Sequence, residues 1–364
     1  MKKSLRMKKE SLNIDDCFEI WKGKINKLIK EHPLQIISWE ATRRCNLHCI
    51  HCGSPSEEVE LGNELSTEQV ISIFKRIADE FDMSQFRHIN ITGGEPFVRN
   101  DLVDILKELY KFPFYRNIDI QTNGIHIAEN PGILKIIKKY GVTGIGVSID
   151  GLEKTHNSFR KTQAGFKKSI LAAQKAVAEG LVVTVSVVVH SQNINELDEL
   201  YHFVKSVIKP RVFRLMFIDP IGRAGFDKQY LLSKEQQMSV IHFLQEKYAE
   251  ECDQYHDQTI MMVELGCGGW FGKELEGTFR PFIFHCIAGI NNLGILYDGK
   301  IASCSNISRD FIEGDALKDS IKEIWNTRYV RFRNREWLRN GKCEACEDWA
   351  YCHGGGNALG KFRV

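Results

Sequence analysis

Six apolar runs rich in Val and Ile recur near residues 34–40, 87–92, 117–122, 144–149, 181–189 and 211–217, and helical periodicity fills the gaps near 67–82, 100–111, 131–139, 163–179 and 193–207. Parallel strands can be joined only by long crossovers, so this alternation predicts an α/β fold built from βαβ units, a partial (βα)6 barrel. The runs show little polar alternation, which predicts a sheet covered on both faces. Ser66 with Gln69 carries the capping-box signature ahead of the 67–82 helix, and Asn100 followed by Asp101 reads as the cap of the next. Residues 13–32 have apolar positions at helical spacing; this helix is expected to cover the barrel's bottom, with peptide docking as the alternative role.

These signals divide the chain into a helical segment at 1–33, the barrel at 34–232, a bridging helix and strand at 233–265, and a Gly-, Cys- and aromatic-rich region at 266–364. With 43% hydrophobic residues in 364, an ordinary core can form. Lys plus Arg (49) nearly balances Asp plus Glu (47), so a net charge of +2 argues against a nucleic-acid partner. The basic start Met1–Lys9 lacks an apolar h-region, and the sequence holds no run of about 18 apolar residues. No membrane association and a cytoplasmic location are therefore expected.

Eleven cysteines in a chain read as cytoplasmic point to metal binding or catalysis rather than a disulfide framework. Cys17 and Cys252 stand alone and read as small structural hydrophobes. Cys45, Cys49 and Cys52 form C-x3-C-x2-C in WEATRRCNLHCIHC, directly after the first strand run. Three thiolates on one loop, with no fourth nearby, suit an iron–sulfur cluster with one open iron better than closed tetrahedral zinc. Gly93-Gly94-Glu95-Pro96 follows the second run, Gln121-Thr122-Asn123-Gly124 the third, and Ser148-Ile149-Asp150 ends the fourth. Loops at the C-terminal ends of parallel barrel strands form the active face, so all four motifs would meet there.

The triplet, with His51 just before its last cysteine, and the GGEP run resemble the radical SAM superfamily. That resemblance implies a [4Fe-4S] cluster on Cys45, Cys49 and Cys52, whose free iron chelates S-adenosylmethionine and whose electron cleaves it to a hydrogen-abstracting 5′-deoxyadenosyl radical. It further implies that Gly93 and Gly94 let the backbone approach the methionyl group and that Glu95 accepts from its ammonium. Ser148 and Asp150, assisted by Asn123, would bind ribose, with His51 against adenine and Arg160 as partner of the carboxylate. His48 reads as a solvated or packed loop residue.

Further on, Cys286-x12-Gly299-x4-Cys304 and Cys343-x2-Cys346-x5-Cys352 resemble the SPASM extension, which carries auxiliary iron–sulfur clusters. The first part matches. In the second, Gly356 stands where the next cysteine belongs, and no last cysteine precedes Val364; a shortened chain and an incomplete sequence both fit that ending. One ligand set is Cys343, Cys346 and Cys352, with Cys286 and Cys304 plus Cys267 forming another; the shorter twitch pattern would instead use Cys286, Cys304, Cys343 and Cys346. At least one auxiliary cluster is expected.

The resemblance implies an oxidoreductase that modifies a peptide by crosslinking, epimerisation or oxidation, with flavodoxin or ferredoxin as one-electron donor. Side-chain modification of a tetrapyrrole is the alternative, and a zinc-binding module without turnover is the alternative of another class. Asp219, Glu264 and Cys267 stand as unassigned candidates for a base.

Overall fold

A computed structural model describes residues 14–53, 63–251, 260–280, 282–305 and 307–356. Cys252, the basic start and the residues after Gly356 lie outside them. A long helix α1 (Ile14–Glu31) leads into β1 (Ile36–Thr42). There follow α2 (Thr67–Glu80), β2 (His88–Gly93), α3 (Leu102–Leu109), β3 (Ile118–Thr122), α4 (Ile125–Glu129), α5 (Ile133–Lys139) and β4 (Val142–Ser148). Next come α6 (Glu153–Phe159), α7 (Gly165–Ala178), β5 (Val182–Val189), α8 (Leu197–Phe203), β6 (Val212–Phe217), α9 (Arg223–Phe226), α10 (Lys234–Glu251) and β7 (Met262–Leu265). The last part contains β8 (Asn292–Ile295), β9 (Lys300–Ala302), β10 (Gly314–Asp315), α11 (Ile321–Thr327), α12 (Val330–Arg333) and α13 (Trp349–Cys352). No described helix is long and apolar enough to cross a membrane.

All strands belong to one sheet in the order β10-β9-β8-β1-β2-β3-β4-β5-β6-β7. Strands β1 to β7 pair in parallel, each with its sequence neighbour, and the two ends of the order do not pair, so the barrel stays open. Strand β8 adds to β1 in parallel and turns back antiparallel as β9, so the cysteine-rich region shares the barrel's sheet as well as following it in sequence.

The sheet is not apolar on both faces. Ile37, Trp39, Ile89, Ile91, Ile118, Ile120, Ile145, Val147, Val183 and Val185 alternate into the core with the helices, where Trp39 meets Phe74 of α2 edge-on at 5.8 Å. The residues between them are polar or small. Ser38 donates to Asn292 (2.9 Å), Gln121 to Asn90 (3.1 Å), and Arg214 Nε pairs with Glu264 (2.5 Å). A Cβ at Gly144 or Gly146 would strike the carboxylate of Asp119 or the amide of Gln121, at 2.0 and 1.9 Å. Those glycines are therefore the space that the β3 side chains occupy, and the concave face is a polar lumen.

Local signals explain the helix starts. Ser66 and Gln69 close the expected capping box on α2. Asp101 does not cap α3 with its side chain; its carboxylate instead accepts from Arg99 (Nε, 2.7 Å) and Thr67 (2.5 Å). Helix α1 departs from the expected cover of the barrel bottom along most of its length. Its Phe18, 1% exposed, packs edge-on against Trp270 and Tyr351 at 5.9 and 5.5 Å, and Glu19 accepts from the Tyr351 hydroxyl (2.6 Å). Just past its end, the His32 carbonyl accepts from Trp325 of α11 (3.0 Å). α1 is thus a strut between the cysteine-rich region and the barrel. Replacing Phe18 by Ala should cost about 3–5 kcal/mol of stability, read by urea denaturation, and should speed amide exchange at 349–353 more than in β1–β5.

Candidate functional site

The Cys45–Cys52 loop leaves the end of β1 and is held by loops from four other strands. From β2, the Gly94 amide donates to the Thr42 carbonyl (2.7 Å) and the Glu95 amide to Arg44 (2.8 Å). A Cβ at Gly93 would lie 2.2 Å from the Thr42 oxygen, and one at Gly94 2.2 Å from that of Arg44 and 2.5 Å from that of Arg43. Gly93 also has φ of 141°, open to glycine alone among common residues. The start of the cysteine loop thus excludes a side chain at either position.

Glu95, 1% exposed, accepts from the Thr122 hydroxyl (2.8 Å), the Asn123 amide (2.7 Å) and the Phe97 amide (3.3 Å). Burial pushes its pKa up, against those donors. Its oxygens thus join the β2 and β3 loops. Asn123 in turn donates to Asn46 within the cysteine loop (2.7 Å). From β6, Arg223 donates to the carbonyls of Cys49 (Nε, 2.7 Å) and Cys52 (amide, 3.2 Å), and Gly222 at φ 55° leaves room for the Cys52 carbonyl.

The contribution of β4 is a buried ion pair. Asp150, 0% exposed, accepts from Arg160 Nε (2.6 Å) and from the Val188 amide (2.8 Å). Burial works to raise its pKa, yet Arg160 wins and holds it at about 2. The other end of the Arg160 guanidinium stands 4.0 Å from the Cys49 sulfur. Asp150 therefore orients an arginine beneath the cysteine loop, each of its oxygens accepting from one protein donor. Ser148 stays half-buried at the strand end, in register with Ser186 of β5.

His51 stacks on Phe159 at 4.6 Å, and Phe159 stacks on His190 at 4.0 Å. One face of His51 thus meets a protein ring, leaving at most the other for a ligand base. Burial drives the pKa of His51 and His190 to about 4 and that of His156 to about 3, so all three are neutral near pH 7. His156 Nδ1 accepts from the Asp150 amide (3.1 Å). The sequence reading missed Arg223, Gly222, Asn46, His156, His190 and Phe159. Only the short spacing of His156, Phe159 and Arg160 after Asp150 hinted at them.

The donor set suits a cluster. Burial, with Cys49 and Cys52 adding repulsion, pushes the Cys45 thiol up to about 11, and burial likewise raises Cys49. Buried soft sulfurs at Cys45 and Cys49 that resist ionisation call for positive charge beside them. Among the described residues no group of three His, Cys, Asp or Glu side chains is drawn tight enough to hold a single metal ion. A cluster needs wider spacing, because each thiolate binds a different iron.

In the second cysteine region, the Cys267 thiol is enclosed although the residue keeps a solvent-facing edge; burial, then Cys304 and Cys286, push it up to about 12. Cys267 follows β7 while Cys304 follows β9, so these cysteines meet across the open side of the barrel. Cys352 shares the Arg335 guanidinium with Cys286 as an electrostatic neighbour, whereas Cys343 and Cys346 occupy a surface turn. Asp219, beyond β6, is held up at about 6 by burial, and Glu264 is paired with Arg214.

Gly94→Ala should at least halve iron incorporation and lower Tm by several degrees, measured by iron assay and calorimetry, since carbonyl oxygens block its Cβ. A histidine whose folded pKa lies below its unfolded 6.5 contributes stability that is complete above about pH 6.5 and lost as pH falls toward 4. Metal-free protein should therefore lose Tm between pH 7 and 5, and His190→Phe should flatten that slope.

Residues 39–204 match the model of the radical SAM superfamily, and residues 286–347 that of the SPASM iron–sulfur cluster-binding domain. Fe-coproporphyrin III synthase of Methanosarcina barkeri is 26% identical, over 94% of this chain and 88% of that protein. Mycofactocin maturase MftC of Mycobacterium tuberculosis is 28% identical over 88% of this chain and 77% of its own. The solved structure of anSMEcpe with bound AdoMet and Cp18Cys peptide superposes with a TM-score of 0.66, covering 90% of each chain at 21% identity. The chain thus carries a radical SAM domain and a SPASM domain, which imply [4Fe-4S] clusters and S-adenosylmethionine as cofactors.

Proposed function

We propose that this enzyme modifies a peptide, as an oxidoreductase fed by a one-electron donor of the flavodoxin or ferredoxin kind. Cys45, Cys49 and Cys52 would hold the first cluster, and Cys286 and Cys304, with Cys343, Cys346 and Cys352, at least one auxiliary cluster. When bound, cluster and S-adenosylmethionine together supply a reductively generated 5′-deoxyadenosyl radical.

The protein's own part is placement. Gly93, Gly94 and Glu95 set the height of the cysteine loop against β2 and so define where a methionyl group meets the backbone. Arg160, held by Asp150, offers its guanidinium to a carboxylate beside Cys49. Ser148 and Asn123 border the ribose position, and the free side of His51 borders adenine. The polar lumen beneath receives the substrate group to be attacked.

The observation that carries the peptide reading is charge balance around that lumen. Arg43 faces Glu40 (3.8 Å), Arg44 Glu64 (3.1 Å), Arg160 Asp150 (2.6 Å) and Arg214 Glu264 (2.5 Å). Each of these four arginines brings its own carboxylate, which suits a substrate of mixed polarity and leaves little of their charge for a polyanion. The tetrapyrrole reading is favoured by the relative named as an Fe-coproporphyrin synthase, which matches 94% of this chain.

Anaerobically reconstituted protein should be brown and, once reduced, should form 5′-deoxyadenosine; Ala at Cys45, Cys49 or Cys52 should lower that product at least 100-fold. Colourless protein carrying zinc would instead mark a non-catalytic module. Coexpression with peptides encoded beside the gene should give a mass change in one of them. An unchanged peptide pool, with turnover of an iron porphyrin carboxylate in vitro, would move the assignment to the second reading.

A further inference from the structure

Two cysteine motifs far apart in sequence meet at one buried cation. Arg335 is 4% exposed and follows the short helix α12. Its guanidinium donates to the carbonyls of Cys286 (2.6 Å) and Gly355 (3.2 Å), and its Nε to that of Phe332 (2.8 Å). The turn after α13 is shaped for this bond. His353, Gly354 and Gly355 all take positive φ (45°, 80° and 73°), and the Gly355 amide returns to the Cys352 carbonyl (2.9 Å). A non-glycine residue in that region is held only where its surroundings over-determine it.

Arg335 differs from Arg43, Arg44, Arg160 and Arg214, each of which faces a carboxylate. Among the described residues none lies within 4.0 Å of it. The sulfurs that bear on it are those of Cys286, which it also reaches by hydrogen bond, and of Cys352. A buried guanidinium without a counter-ion is strongly disfavoured, and carbonyl dipoles compensate it only in part. Thiolates must be charged to bind iron, and burial opposes that charge. Cation and thiolates therefore answer each other's need.

We propose that Arg335 is the positioning and electrostatic residue of an auxiliary cluster: it locks the Cys286 loop to the Cys352–Gly355 turn and raises the cluster's reduction potential. The second effect follows because reduction adds a negative charge, which a nearby cation and its hydrogen bond stabilise. This rests on the auxiliary-cluster reading given above. It also gives a reason for Cys352 and Cys286 to serve one centre although 65 residues separate them (352 less 286, less one).

The test uses the full chain with Cys45, Cys49 and Cys52 changed to Ala, so that all remaining iron is auxiliary. Iron and sulfide per chain, and the midpoint from an EPR-monitored redox titration, are compared among this parent, R335K and R335Q. R335K, which keeps charge and reach, should hold iron and midpoint near the parent's. R335Q should either lose at least half of the iron or keep it at a more negative midpoint, with far-UV circular dichroism unchanged. Equal iron and midpoint in R335Q and parent overturn the role of Arg335 alone. So does R335K behaving as R335Q while both are folded. A parent without iron overturns the auxiliary-cluster reading itself, and the proposal with it.

Discussion

Backbone meeting backbone at the ends of β1 and β2 is the contact on which the site depends. Gly93 and Gly94 bring the peptide planes of β2 against Thr42, Arg43 and Arg44 at distances no Cβ permits. The register shift between Glu40 and Thr42 falls at the same place, so β1 is bent where it releases the cysteine loop. Glu95 then carries the constraint onward through Thr122 and Asn123 to β3, and Asn123 returns it to Asn46. The loop that must present three sulfurs at fixed positions is thus tied down without using any sulfur.

Beneath this frame lies a cationic floor. Arg160 is placed by Asp150 and reaches toward Cys49, while Arg223 holds the carbonyl oxygen of the same cysteine. The neutral histidines around Asp150 matter because they add no positive charge to compete for it. The stack His51–Phe159–His190 fills the volume between the cysteine loop and β5 with flat rings. The second cysteine region repeats the principle with Arg335, whose carbonyl partners and thiolate neighbours replace a carboxylate. In both places an arginine supports the backbone of a cysteine loop and lends charge to its sulfur.

The two regions are mechanically continuous. Strand β8 lies beside β1, so the segments that carry Cys286 and Cys304 and the first cysteine loop spring from one sheet. Helix α1 braces the same junction from outside through Phe18, Trp270 and Tyr351, the last two stacked at 6.3 Å. The Cys267 approach to Cys286 and Cys304 spans the side left open between β7 and β8.

The sequence alone determined the six barrel strands to within about two residues at each end, the capping box on α2, and the face on which the motifs gather. Strand propensity, cap chemistry and the rule that parallel strands present loops at one end are all local or topological, so spacing carries them. The polar lumen was present in the letters as Ser38 and Glu40, Asn90 and Thr92, Asp119 and Gln121. Glycines in β4 and valines in β5 diluted that alternation below notice. Tertiary structure decided which residue serves which. That Asp150 binds Arg160, that Gly94 lies against the carbonyls of Arg43 and Arg44, and that Cys267 nears Cys286 depend on groups 10 to 51 residues apart meeting in space, and no periodicity encodes such distances.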